Sequence, residues 1–136
     1  MQQNIETVKA MYAAFSSGDI PGVMQHVADN VVWAFEAPSA LTWSGIRRGK
    51  QDTLGFFAGL AGQLADMHLE MTEFLTGGDV VASFGRFQGT VKGSGIRVDT
   101  PVAHYFKVVN GKVVEYRNFV NSGAFIEALA AKAVHA

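Results

Sequence analysis

The chain has 136 residues, of which 49% are apolar, enough for one hydrophobic core and too few for two. Its 11 basic and 12 acidic residues give a net charge of -1, so it lacks the positive field that attracts nucleic acid. The absence of cysteine excludes disulfide and thiolate chemistry. No segment approaches the roughly 20 apolar residues of a membrane span. We therefore expect one cytoplasmic domain over residues 1–136 that binds neither nucleic acid nor membrane.

The N-terminal segment has the pattern of a helical hairpin. From Ile5 to Phe15 apolar residues recur at spacings of three and four, which is one face of an amphipathic helix. Gly18 is suited to end this helix. Asp19 is suited to cap a second, short helix that carries Pro21 in its first turn.

The next segment predicts a strand and a longer helix. Residues 31–36 are rich in β-branched and aromatic side chains, which favours a strand, and an irregular loop follows through Trp43. Residues 50–64 predict a third helix despite three glycines that lower its helix propensity. Its inward residues are expected to be Leu54, Phe57, Ala58, Ala61 and Leu64. Glycine on this face can also permit close approach of the helix to the sheet.

The second half of the chain alternates with the period of β-strands. Residues 67–75 place Met67, Leu69, Met71 and Leu75 on one side, and residues 80–91 form the next strand. The last two strands flank Asn110-Gly111, a strong hairpin signal because both residues tolerate a positive φ. Residues 122–134 predict a closing helix capped by Asn121 or Ser122.

This order of elements predicts an α+β fold. Helices followed by long antiparallel strands suit a strongly curved, mostly antiparallel sheet covered by three helices from the first half of the chain, with a C-terminal helix added. Such a sheet forms a cone-shaped barrel whose interior can hold an apolar ligand.

Three polar residues in the apolar C-terminal sheet are candidate functional residues. Polar groups buried in a sheet need hydrogen bonds from the protein or from a ligand. His104 is expected to face inward because the opposite face carries Lys107, and its ordinary pKa near 6.5 suits proton transfer; a core histidine bonded to the protein is the alternative. Asn118 and Asn121 reach one cavity only if a bulge separates them, and Asn121 is otherwise a helix cap.

Aromatic residues are the candidate walls of the cavity. Trp33 suits either the core or the pocket, and Trp43 either covers the cavity mouth or lies at a subunit contact. The histidines have no paired spacing, so we expect no metal site and no cofactor. The predicted ligand-binding residues are Tyr12, Trp33, Phe35, Trp43, Phe84, Phe106 and Tyr116.

Four segments carry a resemblance to a known superfamily. Segments 12–19 (YAAFSSGD), 28–33 (ADNVVW), 44–49 (SGIRRG) and 104–121 resemble the nuclear transport factor 2-like superfamily, most closely its SnoaL-like and ketosteroid isomerase-related proteins. The resemblance covers nearly the whole chain. It implies a cone-shaped α+β barrel, often a homodimer through the outer sheet face, with a pocket for small apolar or polycyclic molecules. It does not fix the reaction, because one fold hosts many chemistries.

The chain departs from the catalytic residues of these relatives. The resemblance places the isomerase general base at Phe35 and the two oxyanion-binding groups at Met11 and Ala103. It places the acid of SnoaL-like cyclases at Asn121, whose amide cannot take up a proton at neutral pH. The family catalytic carboxylates are thus replaced by uncharged residues.

Two functions follow as hypotheses. In the first, which we prefer, the chain binds a hydrophobic or polycyclic small molecule, with Tyr12, His104, Asn118 and Asn121 orienting its polar atoms. In the second, the chain is an isomerase, cyclase or hydrolase in which His104 is the general acid or base and Asn118 or Asn121 stabilises an oxyanion. A homodimer is expected in either case.

Overall fold

The structure is a computed structural model that describes residues 2–135, with the side chains of residues 2–131. The expected domain bounds, 1–136, extend one residue beyond this range at each end. The helices are α1 (Gln2–Ser16), α2 (Ile20–Met24), α3 (Lys50–Gln63) and α4 (Ser122–His135). The strands are β1 (Val27–Phe35), β2 (Gly45–Arg48), β3 (Leu64–Gly77), β4 (Val80–Val91), β5 (Arg97–Val109) and β6 (Lys112–Val120).

The six strands form one curled, unclosed sheet in the order β2-β1-β6-β5-β4-β3. The β1 and β6 strands run parallel, and every other neighbouring pair is antiparallel. Helices α1 and α3 contact the sheet from the first half of the chain, and α4 packs on β4 and β5. The predicted α+β fold with a curved, mostly antiparallel sheet is confirmed. No helix within residues 2–135 is long and apolar enough to cross a membrane.

The Asn-Gly hairpin sets the register of the two central strands. Asn110 and Gly111 have φ values of 51° and 75°, which confirms the predicted turn and fits the two positive angles that a tight hairpin needs. From Lys107 onward a bulge shifts the pairing by one residue, and this shifted register places His104 directly opposite Asn118. Two of the candidate functional residues are therefore neighbours because of the turn and the bulge together.

The helical hairpin at the N-terminus also forms as predicted. Gly18 has a φ of 76°, which ends α1, and the Asp19 carboxylate accepts a hydrogen bond from the Gly22 amide at 2.9 Å. This cap satisfies one of the free amides at the start of α2.

The inward face of α3 differs from the prediction. Its buried residues are Thr53, Phe56, Phe57 and Leu60, whereas Leu54, Ala58 and Ala61 are exposed. The helix rests on the preceding loop at Gly59. A Cβ atom at this glycine would lie 2.5 Å from the Thr42 carbonyl oxygen. The close approach at Gly59 is therefore to a loop, whereas an approach to the sheet was predicted.

A bulge in β3 reverses the predicted face of its C-terminal half. The pairing with β4 shifts between Met71 and Glu73, and beyond this point Phe74 packs against the core while Leu75 is 63% exposed. Strict alternation from Met67 onward predicted the opposite. Two further differences are a start of β1 at Val27, four residues earlier than predicted, and β2, which the sequence pattern left within a loop.

Candidate ligand-binding cavity

A cavity of about 80 Å³ lies between the inner sheet face and the helices. It is lined mainly by aromatic and aliphatic side chains from α1, α3, β1 and the long strands. None of the described residues that line it is a lysine, an arginine or a carboxylate. Eight of the ten predicted site residues line it, namely Tyr12, Trp33, Phe35, Trp43, His104, Phe106, Tyr116 and Asn118.

Strand pairing fixes the aromatic wall. Trp33 of β1 pairs with Tyr116 of β6, and their rings stack with centroids 3.9 Å apart and an angle of 17° between the planes. Trp43 is buried and packs edge-on against Phe35 and Phe125. Trp43 therefore forms part of the inner wall, in contrast to the half-buried subunit contact that was one of its two predicted roles.

A chain of hydrogen bonds crosses one side of the cavity. The Asn118 amide nitrogen donates to the Tyr116 hydroxyl at 2.7 Å and to His104 Nε2 at 3.0 Å. Since Nε2 accepts, the proton of the neutral ring is on Nδ1, which donates to the Tyr12 hydroxyl at 2.7 Å. Tyr12 can then donate to Ser83 Oγ at 2.5 Å. Both ring nitrogens of His104 are thus used within the protein.

Burial keeps this chain uncharged at neutral pH. Desolvation lowers the pKa of His104 from its ordinary 6.5 to about 3. Burial also raises the pKa values of Tyr12 and Tyr116 far above 10, despite hydrogen bonds that act in the opposite direction. The imidazole is therefore neutral and the two phenols keep their protons.

Two buried polar atoms beside the cavity have no hydrogen-bond partner within the described structure. They are Nε1 of Trp33 and Oδ1 of Asn118, and both side chains line the cavity. A buried donor or acceptor without a partner costs about 1–3 kcal/mol. Both atoms have almost no accessible surface, so a molecule in the cavity reaches them only if neighbouring side chains move.

Two predicted site residues, Phe84 and Asn121, lie outside the cavity. Phe84 follows the buried Ser83 in β4, so its side chain points to the outer sheet face, where it is 38% exposed. Asn121 lies beyond the end of β6, and its amide oxygen accepts from the Ala124 amide at 3.4 Å at the start of α4. Asn121 is a helix cap, because no bulge separates it from Asn118.

Sequence reasoning missed two side chains that matter to the site. Ser83 is fully buried and bonds to Tyr12, and it shares a face with Val81, so period two along β4 was the available signal. Phe56 packs edge-on against Trp33 at 5.6 Å between ring centroids. The wrong rotation predicted for α3 concealed it.

A groove of about 380 Å³ adjoins the cavity between α1, α3 and β3. Four side chains line both spaces: Phe15, Phe57, Leu60 and Leu69. The rings of Phe15 and Phe57 lie 6.2 Å apart between centroids. These side chains form the partition between the inner cavity and the groove.

A curled sheet that holds an aromatic cavity under helices defines a protein of the nuclear transport factor 2-like class, and solved structures agree. A nuclear transport factor 2-like protein of unknown function from Burkholderia pseudomallei is 25% identical, with 94% of this chain and 98% of that chain covered and a TM-score of 0.88. TerC, co-crystallised with polyporic acid, is 27% identical over 94% and 98% of the two chains, with a TM-score of 0.86. A ketosteroid isomerase-like protein from Catenulispora acidiphila in complex with trimethylamine is 17% identical over 84% of each chain, with a TM-score of 0.72, and supports the fold alone.

The amino-acid sequence assigns the chain to one family within this fold class. The SnoaL-like domain family matches residues 8–116, so the chain belongs to that family. No curated protein shows significant sequence similarity to it.

Proposed function

We propose that the chain binds a neutral, largely apolar small molecule in the aromatic cavity. The observation that carries this proposal is the lining of the cavity, which is aromatic and aliphatic apart from a few polar side chains such as His104 and Asn118 and includes no charged residue among those described. An apolar pocket with a few convergent polar groups is the usual form of a small-molecule site. TerC, of the same fold, was co-crystallised with polyporic acid, which supports small-molecule binding in this architecture.

The size of the cavity limits how the ligand enters. A cavity of about 150 Å³ accommodates benzene, whereas this one has about 80 Å³. A ligand with one or more rings therefore has to displace the partition between cavity and groove, above all Phe15 and Phe57. With the partition displaced, the cavity and the 380 Å³ groove together provide room for a polycyclic ligand.

The arrangement favours binding over catalysis. A general acid or base works best with a pKa near the operating pH, and the pKa of His104 is lowered to about 3. Both of its nitrogens are engaged, by Tyr12 and Asn118. Catalysis by His104 as general acid or base remains the alternative. It requires that a substrate breaks one of these bonds.

Ligand-induced stabilisation tests the proposal directly. We expect two-ring aromatic compounds such as 2-naphthol to raise the melting temperature by several degrees at concentrations well above Kd, since a ligand that binds only the folded state stabilises it. The Val102→Phe variant places a ring in the cavity and should abolish the shift. The Val109→Phe variant, with the same change on the opposite face of β5, should retain it. An unchanged melting temperature across a panel of such compounds would contradict the proposal.

We also propose that two copies associate through the outer sheet face. Phe84, Ala103 and Phe119 pair across β4, β5 and β6, and the two phenylalanines are exposed. Two exposed ion pairs, Arg86–Asp99 and Arg117–Glu115, lie on strands of the same sheet and carry no net charge. A second copy therefore meets an apolar row without net repulsion.

A further inference from the structure

Helix α1 is hydrogen-bonded to the sheet through a single side chain. Within residues 2–131, the hydrogen bonds from α1 to the sheet all involve the Tyr12 hydroxyl, which accepts from His104 Nδ1 at 2.7 Å and can donate to Ser83 Oγ at 2.5 Å. The ion pairs of this part of the chain include no residue of α1. The Lys9 ammonium adds a contact 5.1 Å from the centre of the Phe74 ring. Loss of one hydroxyl would therefore remove the hydrogen bonding between α1 and the sheet.

Helix α3, on the other side of the partition, is fixed at several points. Thr42 Oγ1 donates to the Gly59 carbonyl oxygen at 2.8 Å, and the Thr42 amide donates to the Gln63 side chain at 2.7 Å. The Lys92 ammonium donates to the Ala61 carbonyl oxygen at 2.6 Å. Movement of α3 breaks all of these bonds, so α1 is the more easily displaced of the two helices that form the partition.

Space on both sides leaves α1 room to move. The groove of about 380 Å³ lies between α1, α3 and β3, and a second groove of about 320 Å³ lies between α1 and β3. Gly18, which joins α1 to α2, has a φ of 76°, and a Cβ atom there would meet nothing within 4 Å. Glycine without such contacts changes its backbone angles at little cost. Helix α2 stays in place because Val23 and Met24 are buried.

We infer that α1 is a lid on the cavity, which turns about Gly18 and is held closed by the hydrogen bonds of the Tyr12 hydroxyl. Met11, Tyr12 and Phe15 line the cavity and move with the helix, so opening removes Phe15 from the partition. Because Val8 and Met11 are buried in the closed position, the open state is a minor one. The passage of a ligand through this opening rests on the proposed function, whereas the opening itself does not.

Thiol labelling measures the opening in the absence of any ligand. The chain has no cysteine, so an introduced cysteine is a unique reporter. Ser83 and Thr53 are both fully buried, but Ser83 is bonded to Tyr12 of α1, whereas Thr53 belongs to α3. Under native conditions we expect iodoacetamide to label Ser83→Cys at least about tenfold faster than Thr53→Cys, once the global stabilities of the two variants are allowed for.

Two further substitutions distinguish opening of the lid from global unfolding. Tyr12→Phe, added to Ser83→Cys, should accelerate labelling by about tenfold, because the open state no longer has to break the hydrogen bonds of the hydroxyl. Gly59→Ala weakens the contact between α3 and its loop, which the open lid leaves intact. It should therefore lower global stability without changing the labelling rate of Ser83→Cys. Acceleration by Gly59→Ala in proportion to the lost stability would overturn the lid.

Hydrogen exchange tests the lid on the unaltered protein. Peptides from the C-terminal half of α1 should exchange at least about tenfold faster than peptides from α3, since local opening exposes one helix and spares the other. Equal protection of the two helices would overturn the lid. This measurement decides the matter if Ser83→Cys does not fold.

Ligand association separates the lid from the function that uses it. The association rate of 2-naphthol, followed by stopped-flow fluorescence, should rise in Tyr12→Phe by the same factor as the labelling rate. An unchanged association rate would overturn α1 as the route of entry and leave cavity binding intact. Absence of any binding would contradict the proposed function, and the labelling and exchange experiments would still decide whether α1 opens.

Discussion

At the scale of single residues, His104 gives the protein a specific pH dependence. In the unfolded chain its pKa is near 6.5, whereas in the folded protein it is about 3, so the unfolded state binds more protons between these values. This histidine's contribution to stability is therefore fully present above pH 6.5 and is lost as the pH falls toward 3. The loss is at most about 1.4 kcal/mol per pH unit.

Denaturant titrations at several pH values measure this contribution. The free energy of unfolding of the wild type should fall more steeply between pH 6.5 and pH 4 than that of His104→Gln, which cannot take up the proton. The two curves should therefore converge as the pH is lowered. Parallel curves would show that His104 is not held neutral by burial.

The hydroxyl of Tyr12 joins α1 to the sheet. The Tyr12→Phe variant leaves Ser83 Oγ and the His104 Nδ1–H without their partner, and we expect a loss of about 1–3 kcal/mol in the free energy of unfolding. Tyr105→Phe provides the control, because Tyr105 is only partly buried and alternates with the inward residues of β5. Its effect should stay within about 0.5 kcal/mol. Similar losses in both variants would argue against a role for the buried hydrogen-bond chain.

At the scale of elements, two glycines of α3 should respond oppositely to the same change. Gly59→Ala places a Cβ atom 2.5 Å from the Thr42 carbonyl oxygen, so the helix has to move away from the loop and the protein should lose stability. Gly62→Ala meets nothing within 4 Å and should gain up to about 1 kcal/mol from the higher helix propensity of alanine. Thermal unfolding of the two variants measures both signs. A gain in the Gly59 variant would show that the loop contact is loose.

The same elements show what the sequence could predict. The Asn110-Gly111 hairpin and the Asp19 cap were predictable because each depends on chemistry within a few residues. The rotation of α3 and the bulge in β3 were not, since tertiary contacts decide them. The bulge faces Gly85 of β4. A Cβ atom at Gly85 would lie 1.9 Å from the Glu70 carbonyl oxygen, and no residue pattern within β3 indicates this close approach.

In the candidate site, too, features set by local sequence were predictable and features set by tertiary contacts were not. His104 was placed inward correctly, because its strand alternates buried and exposed residues without interruption. Phe84 lies on the outer face, although the alternation along β4 was available as a guide, and Asn121 has the helix-cap role that was its alternative, because β6 ends before it. The hydrogen-bond chain from Asn118 to Ser83 could not be predicted. It joins three strands and a helix that are far apart in sequence.

At the scale of the whole molecule, the proposed dimer makes a prediction about mass in solution. Phe119 is 55% exposed at the β6 end of the outer apolar row, and Phe119→Glu should convert a dimer into a monomer by adding a charge to each copy. Leu75→Glu is a suitable control because Leu75 is 63% exposed on β3, the strand at one edge of the sheet. Light scattering coupled to gel filtration distinguishes the outcomes. A wild-type protein that elutes as a monomer at micromolar concentration would contradict the dimer.

The parallel ladder between β1 and β6 has a consequence for how the protein matures. It joins the first strand of the chain to the last, so the loop that closes it spans most of the sequence, and contacts of such separation form slowly. During synthesis, β6 leaves the ribosome after every other strand, and until it docks neither the Trp33–Tyr116 stack nor Asn118 is in place. Capture of a ligand would therefore report the completion of folding, and a nascent chain that ends before β6 should be unable to retain one.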